Sequence, residues 1–330
     1  MAKVLVTGGA GFIGSHVVRK LVDQGDEVVI IDNFNEYYSP ALKHARMEYL
    51  IASRDKATHR VDIADFSSLE EIFKKEKFDT ICHLAAQAGV LYSLKNPQVY
   101  ESSNLKGTLN LLILAQKYGV PHFVFASSSS VYGETKNFPT PETESIEHPI
   151  SLYAATKVSG EAMVHAYAKM FGLKATVLRF FNVYGPWTRP DSALFIFTRK
   201  ISEGERMKVF NFGEQEKDFT YIDDIVSGIV AAIKKPFDYE VFNLGNSTPV
   251  LLKKYISLIE QEVGQQANQE YLPIQAGDVS KSHADITKAK LLLGYDPATS
   301  VDQGIKNFVA WYKEYNERLG LSKMNFTKNQ

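Results

Sequence analysis

Lys3-Val4-Leu5-Val6-Thr7-Gly8-Gly9-Ala10-Gly11-Phe12-Ile13-Gly14 is the stretch whose reading decides the fold. Val4 to Val6 is a short apolar run of strand character, and Phe12 to Val22 carries helical spacing. Between them stand Gly8, Gly11 and Gly14. Glycine makes the turn without a Cβ clash, so N–H groups at a helix start can approach a diphosphate. The second β-branched run, Glu27 to Ile31, is followed by Asp32, eighteen positions beyond the last glycine (14 to 32). A carboxylate there reaches the ribose hydroxyls of a dinucleotide and repels a 2′-phosphate, which favours NAD over NADP. The bland alternative is a strand, turn and helix with no ligand; the carboxylate in register argues against it.

Outward from that stretch the alternation continues. Ser67 to Lys75 is helical, Thr80 to Leu84 apolar, Gln98 to Tyr118 a long amphipathic run, and His122 to Ala126 another strand. Leu152 to Phe171 is helical and Ala175 to Phe180 strand-like. Short apolar runs separated by helices predict an α/β chain with a doubly wound parallel (Rossmann) sheet. After Gly185-Pro186 the rhythm breaks, with helical patterns at Ala193 to Gly204, Ile225 to Lys234 and Leu252 to Glu262. The expected division is a mainly NAD-binding domain, 1–185, and a smaller α/β substrate lobe, 186–330, with segments around 221–245 returning to the sheet.

The chain has 330 residues, enough for about two domains at roughly 150 residues each. It is 45% hydrophobic and 23% charged, which excludes a disordered, collagen-like or coiled-coil chain. A net charge of −1 gives no long-range pull towards nucleic acid or an anionic membrane. With Cys82 as the single cysteine, no intrachain disulfide forms, which fits a reducing compartment. No apolar stretch reaches the ~18 residues of a membrane-spanning helix, and no signal-peptide pattern opens the chain. A soluble, cytoplasmic protein without membrane insertion is expected. No His/Cys/Asp cluster has metal-ligand spacing, so no metal is expected.

Tyr153 and Lys157 stand four residues apart on one helix face. An ordinary tyrosine loses its proton near ~10. A neighbouring ammonium and an oxidised nicotinamide stabilise the phenolate, so Tyr153 can serve as base while the carbon gives up hydride. Such a pair is common on solvated helices and gains meaning from Ser127-Ser128-Ser129-Ser130 at the end of the fifth strand. Hydroxyls at that edge face the cleft of a doubly wound sheet, and Ser128 is placed to hydrogen-bond the reacting oxygen. Small residues at the end of the fourth strand, Leu84-Ala85-Ala86, let a cofactor lie across the sheet edge. His83 beside them reads as packing. Asp62-Ile63, after the third strand, is a usual place for adenine contacts.

On these motifs the sequence resembles the extended short-chain dehydrogenase/reductases of the nucleotide-sugar epimerase type. The likeness runs from Val4 to about Tyr312 and includes His83-Leu84-Ala85-Ala86, Ser127 to Gly133, Leu178 to Pro186 and Asp218-Phe219-Thr220-Tyr221-Ile222-Asp223-Asp224. It implies Ser128, Tyr153 and Lys157 as the catalytic triad. It implies NAD held by Gly8, Gly11, Phe12, Ile13, Gly14, Asp32, Asn33, Asp62, Ile63, Leu84, Ala85, Ala86 and Gln87. Asn104, Tyr153, Lys157, Phe180 and Val183 complete the implied cofactor site. Dehydratases of this family carry Thr-Asp-Glu where Ser128-Ser129-Ser130 stands here, and decarboxylases carry a Glu just after the hydroxyl residue. Serines alone supply no acid or base for elimination, which leaves epimerisation at C4.

The closest subgroup is the UDP-glucuronate 4-epimerases, on Asp32 to Tyr38 with Leu42-Lys43 and Ala45-Arg46, on Ala85 to Val90, on Trp187 with Arg189-Pro190-Asp191, and on Gln275 to Val279. That likeness implies a UDP-sugar partner contacted by Ser128, Ser129, Ser130, Tyr153, Asn182, Arg189, Val209, Phe210, Lys217 and Asp278. The serines would take the C6 carboxylate, with Arg189, Lys217 and Asp278 near UDP. The chain departs from the subgroup at Leu91 (a basic residue elsewhere), Asn182 (often Thr) and Lys217 (usually Arg), so UDP-glucose and UDP-N-acetylglucosamine stay open as substrates. A homodimer pairing the helices at 98–118 and 152–171 is expected from the family. Asp223 and Asp224 read as helix caps, and 323–330 as a loose tail.

Overall fold

The computed structural model describes residues 2–51, 57–275 and 277–323. Strand and helix alternate as β1 (Lys3–Thr7), α1 (Phe12–Asp23), β2 (Glu27–Asp32), α2 (Pro40–Arg46), β3 (Thr58–Arg60), α3 (Phe66–Lys75) and β4 (Thr80–His83). Then come α4 (Val90–Lys95), α5 (Pro97–Tyr100), α6 (Gly107–Lys117), β5 (His122–Ser128), α7 (Leu152–Phe171), β6 (Lys174–Phe180) and β7 (Asn182–Tyr184). Next are α8 (Ala193–Glu203), β8 (Arg206–Phe210), β9 (Glu216–Lys217), β10 (Phe219–Tyr221), α9 (Ile222–Lys234) and β11 (Glu240–Leu244). The chain continues through β12 (Val250–Leu251), α10 (Leu252–Val263), β13 (Asn268–Leu272), α11 (Thr287–Leu293) and α12 (Val301–Leu319).

Seven strands form one sheet in the order β3-β2-β1-β4-β5-β6-β11, every neighbouring pair parallel. Parallel strands bury both faces, so β1 reads as unbroken Val4-Leu5-Val6, all fully buried. Alternate side chains serve opposite layers. Val4, Val6, Ile30 and Leu178 join the core built with α1 and α9. Leu5, Ile31, Phe123 and Val177 join the one built with α3, α6 and α7. Burying each such side chain contributes about 1.5–3 kcal/mol. After β10, α9 carries the chain back to the sheet, where β11 pairs with β6. Small ladders lie outside it: β7 with β10, β8 with β13 and β9 with β12.

Three local expectations change. The run from Gln98 to Tyr118 is not one α-helix, because a π-helical turn, Glu101–Lys106, separates α5 from α6 and carries the buried Asn104. β5 runs on to Ser128, since Ser127 and Ser128 stay in register with Arg179 and Phe180. Asp223 and Asp224 are not caps: Tyr221 is the N-cap of α9, and both acids lie in its first turn. Asp224 accepts the amides of Ala298 (3.0 Å) and Thr299 (3.1 Å), tying down the approach to α12. Cys82 is fully buried in β4. The tail from 324 lies outside the described residues.

Glu161 on α7 and Arg179 on β6 form a buried ion pair, Nη2 to Oε2 at 2.7 Å and Nε to Oε1 at 3.0 Å, with side chains 4% and 5% exposed respectively. The Ser127 hydroxyl donates to Glu161 Oε1 at 2.5 Å. Arg179 Nη1 donates to the Tyr132 hydroxyl (3.0 Å) and the Glu142 carbonyl (2.9 Å), and Tyr132 donates to Asn243 (2.6 Å). A satisfied network of this kind costs little to keep and much to break. Arg179→Ala or Glu161→Ala should lower the unfolding free energy by about 3–5 kcal/mol, read from urea midpoints, because each strands a buried charge. A loss below about 1 kcal/mol, the value of an exposed pair, would contradict that burial.

Candidate active site

The turn after β1 is closed by contact. Gly8 takes φ +72°, its N–H donates to the Ile31 carbonyl at 2.7 Å, and a Cβ there would lie 2.8 Å from the Ala85 nitrogen. A Cβ on Gly14 would overlap the Gly8 carbonyl oxygen. Above this turn a cavity of about 450 Å³ crosses the C-terminal edge of the sheet. Its lining contains Gly8, Gly11, Phe12, Ile13, Gly14, Asp32, Asn33, Ile63, Leu84, Ala85, Ala86, Gln87, Tyr153, Lys157, Phe180 and Val183.

Two expected cofactor residues stand outside that lining. Asp62 accepts from the Asn33 amide group (2.8 Å) and the Ala64 N–H (2.8 Å). Asn104 is buried behind the wall. It accepts the Gln87 N–H (2.8 Å) and donates to the Gln87 carbonyl (3.1 Å) and Thr156 Oγ1 (2.9 Å), so it ties the end of β4 to α7. Asp32 is 7% exposed. Its Oδ2 accepts the Ala10 N–H (3.2 Å), its Oδ1 accepts the Phe34 N–H (2.8 Å), and Lys43 Nζ stands 3.8 Å away. Glycine N–H groups at a helix start, a carboxylate at the end of β2 and small residues after β4 are the donor set a dinucleotide requires. Lys43, Tyr37 and Tyr38 also line the cavity. Their stretch is legible only as a family signature, since nothing local says that the loop after β2 folds inward.

Ser151 caps α7 by accepting the Ala154 N–H at 3.1 Å, and Gly172 ends the helix at φ +69°. This sets Tyr153 and Lys157 over the end of β5. Lys157 Nζ donates to the Ala126 carbonyl at 2.7 Å and lies 5.1 Å from the centre of the Phe125 ring. Ser128 Oγ accepts from the backbone N–H (3.2 Å) and hydroxyl (2.9 Å) of Ser130. The expected lowering of the Tyr153 proton affinity rests on Lys157 together with an oxidised nicotinamide. Burial pushes the Tyr153 hydroxyl above its ordinary value, and Ser128 and Arg189 only partly pull it back. Burial lowers Lys157 to about 8, while Glu161 opposes the fall. His83 is pushed down to about 3 by burial and sits between Thr7 (2.8 Å) and Thr108 (3.0 Å), a neutral packing residue as expected.

A second cavity, about 190 Å³, opens on the far side of Ser128. Ser128, Tyr153 and Asn182 line both cavities, Arg189 only the first, and Ser129, Ser130, Lys217 and Asp278 only the second. Lys217 Nζ donates to Asp278 Oδ1 (2.8 Å) and the Val279 carbonyl (2.5 Å), and Gln215 donates to Asp278 Oδ2 (2.7 Å). Val209 is fully buried and Phe210 half-buried; neither lines either cavity, because β8 turns Val209 into the core beside Gly213.

Lys157 holds a charge in a desolvated place, so it weakens the fold. Its folded pKa lies below the unfolded one; the penalty is therefore full below pH ~8 and vanishes as pH climbs towards ~10.5. Lys157→Met should raise the melting temperature of the cofactor-free protein at pH 7, with the gain shrinking from pH 8 to 10, while turnover falls. A melting-temperature change that is the same at pH 7 and pH 10 would contradict the burial of this ammonium.

Residues 4–245 match the NAD dependent epimerase/dehydratase family. UDP-glucuronate 4-epimerase 4 of Arabidopsis thaliana is 43% identical over 330 residues, covering 94% of this chain and 75% of that protein. The crystal structure of the Bacillus cereus UDP-glucuronic acid 4-epimerase with UDP-glucuronic acid and NAD superposes with a TM-score of 0.87 at 35% identity, covering 94% and 99% of the two chains. The Thermotoga maritima UDP-glucose 4-epimerase with UDP-glucose gives a TM-score of 0.85 at 37% identity over 94% and 99%. With its glycine turn, seven-stranded parallel sheet and Tyr153–Lys157 helix, the chain belongs to the NAD dependent epimerase/dehydratase family.

Proposed function

We propose that the protein is an NAD-dependent UDP-sugar 4-epimerase that interconverts UDP-glucuronate and UDP-galacturonate. The observation that carries this reading is that Ser128, Ser129 and Ser130 line one cavity together with Tyr153, with Ser128 hydrogen-bonded to the Tyr153 hydroxyl. Among the described residues the only carboxylate lining that second cavity, Asp278, is already paired with Lys217. Elimination of water needs an acid or base there, and the family's decarboxylases carry a glutamate just after the hydroxyl residue; epimerisation needs none beyond Tyr153.

NAD bound along the glycine turn, Asp32 and the end of β4 supplies a hydride acceptor and donor at C4. Tyr153 takes the O4 proton and later returns it, with Ser128 holding that oxygen. Lys157 keeps positive charge beside the phenolate as it forms. Arg189 and Lys217 hold the UDP portion while the 4-keto sugar turns over about its diphosphate linkage, so binding energy remote from the reacting carbon retains the intermediate. With glucuronate that intermediate is a β-keto acid. Hydroxyls of Ser129 and Ser130 on the C6 carboxylate keep its C5–C6 bond near the carbonyl plane, which suppresses loss of CO2.

The second reading, a UDP-glucose or UDP-N-acetylglucosamine 4-epimerase, is favoured by Asn182, which lines both cavities. The same family reading divides the chain at about residue 185 and makes it a cytoplasmic homodimer. Leu109, Met170 and Phe171 on α6 and α7 are exposed apolar groups that suit such pairing. Among the described residues no helix is long and apolar enough to cross a membrane.

Incubation with UDP-glucuronate and no added NAD, followed by NMR of the product, should yield UDP-galacturonate and no UDP-pentose. Abundant UDP-pentose, or turnover of UDP-glucose alone, overturns the reading. Tyr153→Phe should lose turnover by about 10²–10⁴-fold, the usual contribution of one acid–base group, with bound NAD unchanged.

A further inference from the structure

Arg46, at the end of α2, is fully buried, and among the described residues no carboxylate pairs with it. Its guanidinium spends its donors on three separate segments. Nε and Nη2 both donate to the Trp187 carbonyl (3.0 and 2.8 Å), and Nη2 also reaches the Thr188 carbonyl (3.4 Å). Nη1 donates to the Ala10 carbonyl (3.2 Å) and the Tyr38 hydroxyl (2.6 Å). One side chain thus joins the glycine turn, the loop after β2 and the stretch leading from β7 to α8.

That third segment carries Arg189, and its backbone is held under constraint. Trp187 adopts φ +65°, a conformation bulky residues rarely take. Its carbonyl is gripped by the guanidinium fork, and its ring packs against Trp311 (5.2 Å between centres) and Tyr315 (4.9 Å). Two residues on, Arg189 lies 3.2 Å from Asp191, and Asp191 accepts the Tyr37 hydroxyl at 2.9 Å. Both ends of the 187–191 stretch are therefore tied to residues 37–46.

The charge gives the arrangement a direction. A buried guanidinium that no carboxylate among the described residues pairs with is costly. The N–H groups that follow Ala10 are those that would face a diphosphate, so a dinucleotide there brings negative charge beside Arg46. We propose that Arg46 is a positioning residue that couples the dinucleotide turn to Arg189, so that cofactor and UDP-sugar each favour the binding of the other. The coupling rests on the reading of Arg189 as a contact for the UDP-sugar.

Arg46→Lys, Arg46→Gln, Arg189→Gln and the Arg46→Gln/Arg189→Gln double variant test it. The readouts are NAD retained per purified chain, from the nucleotide released on acid denaturation, and kcat and KM for UDP-glucuronate at saturating NAD. Both Arg46 variants should retain less NAD and show a KM raised about tenfold, within the usual range of coupling between sites, with kcat little changed. The double variant should show a KM no higher than Arg189→Gln alone, because the effect of Arg46 passes through Arg189. Full NAD retention with unchanged KM, or KM effects that multiply, overturns the coupling. If the Arg46 variants do not fold, Tyr38→Phe removes only the hydroxyl on Nη1. It should move NAD retention and KM in the same direction, and no movement in either overturns the proposal. An unchanged KM in Arg189→Gln overturns the role given to Arg189 and the coupling through it. NAD retention in Arg46→Gln then reports separately whether Arg46 braces the dinucleotide turn.

Discussion

Helix α7 is pinned to the end of β5 by two side chains one helical turn apart. Lys157 takes the Ala126 carbonyl and Glu161 takes the Ser127 hydroxyl, adjacent residues of the same strand. That clamp decides where Tyr153 hangs over the sheet edge and which serine faces it. It also explains why Ser127 is withdrawn from the chemistry while Ser128 is left at the junction of the two cavities. The second anchor comes from behind, where Asn104 in its π-helical turn grips Gln87 and Thr156. The π-helical turn holds Asn104 where it reaches both the segment after β4, at Gln87, and α7, at Thr156.

Stability and function are separated in space. The sheet, with Val4, Leu5, Val6 and their partners fully buried, and the Glu161–Arg179 pair supply the rigid frame. The site on top of it is held at a cost. Lys157 is buried with a carbonyl for partner, and Tyr153 is pushed away from ionisation. Burial opposes ionisation of Tyr153, so the positive charge of a bound nicotinamide, added to that of Lys157, is what would favour its phenolate.

Much of the site was legible because it is local. Glycines at 8, 11 and 14 answer to the shape of one turn, and Tyr153 with Lys157 to one helical repeat. Asp32 is read from its distance in sequence to that turn. What stayed illegible depends on partners far along the chain. The pairing of Lys217 with Asp278 spans 61 residues and the grip of Arg46 on Trp187 spans 141. Val209 and Phe210 fit the family pattern yet stand off both cavities, because side-chain direction in β8 follows its pairing with β13.

By itself, then, the sequence determined the strand–turn–helix unit, the parallel order it implies, the acid that favours NAD, and the Tyr–Lys pair on its helix. These follow from backbone sterics and from periodicities that act within a few residues. Only the tertiary structure decided that Ser127 is drawn to Glu161, that Lys157 donates to the Ala126 carbonyl, and that Arg46 binds three segments into one wall. Those outcomes turn on where α7, α2 and the 187–191 stretch come to rest against the sheet. That is settled by the packing of side chains distant in sequence, which no local pattern encodes.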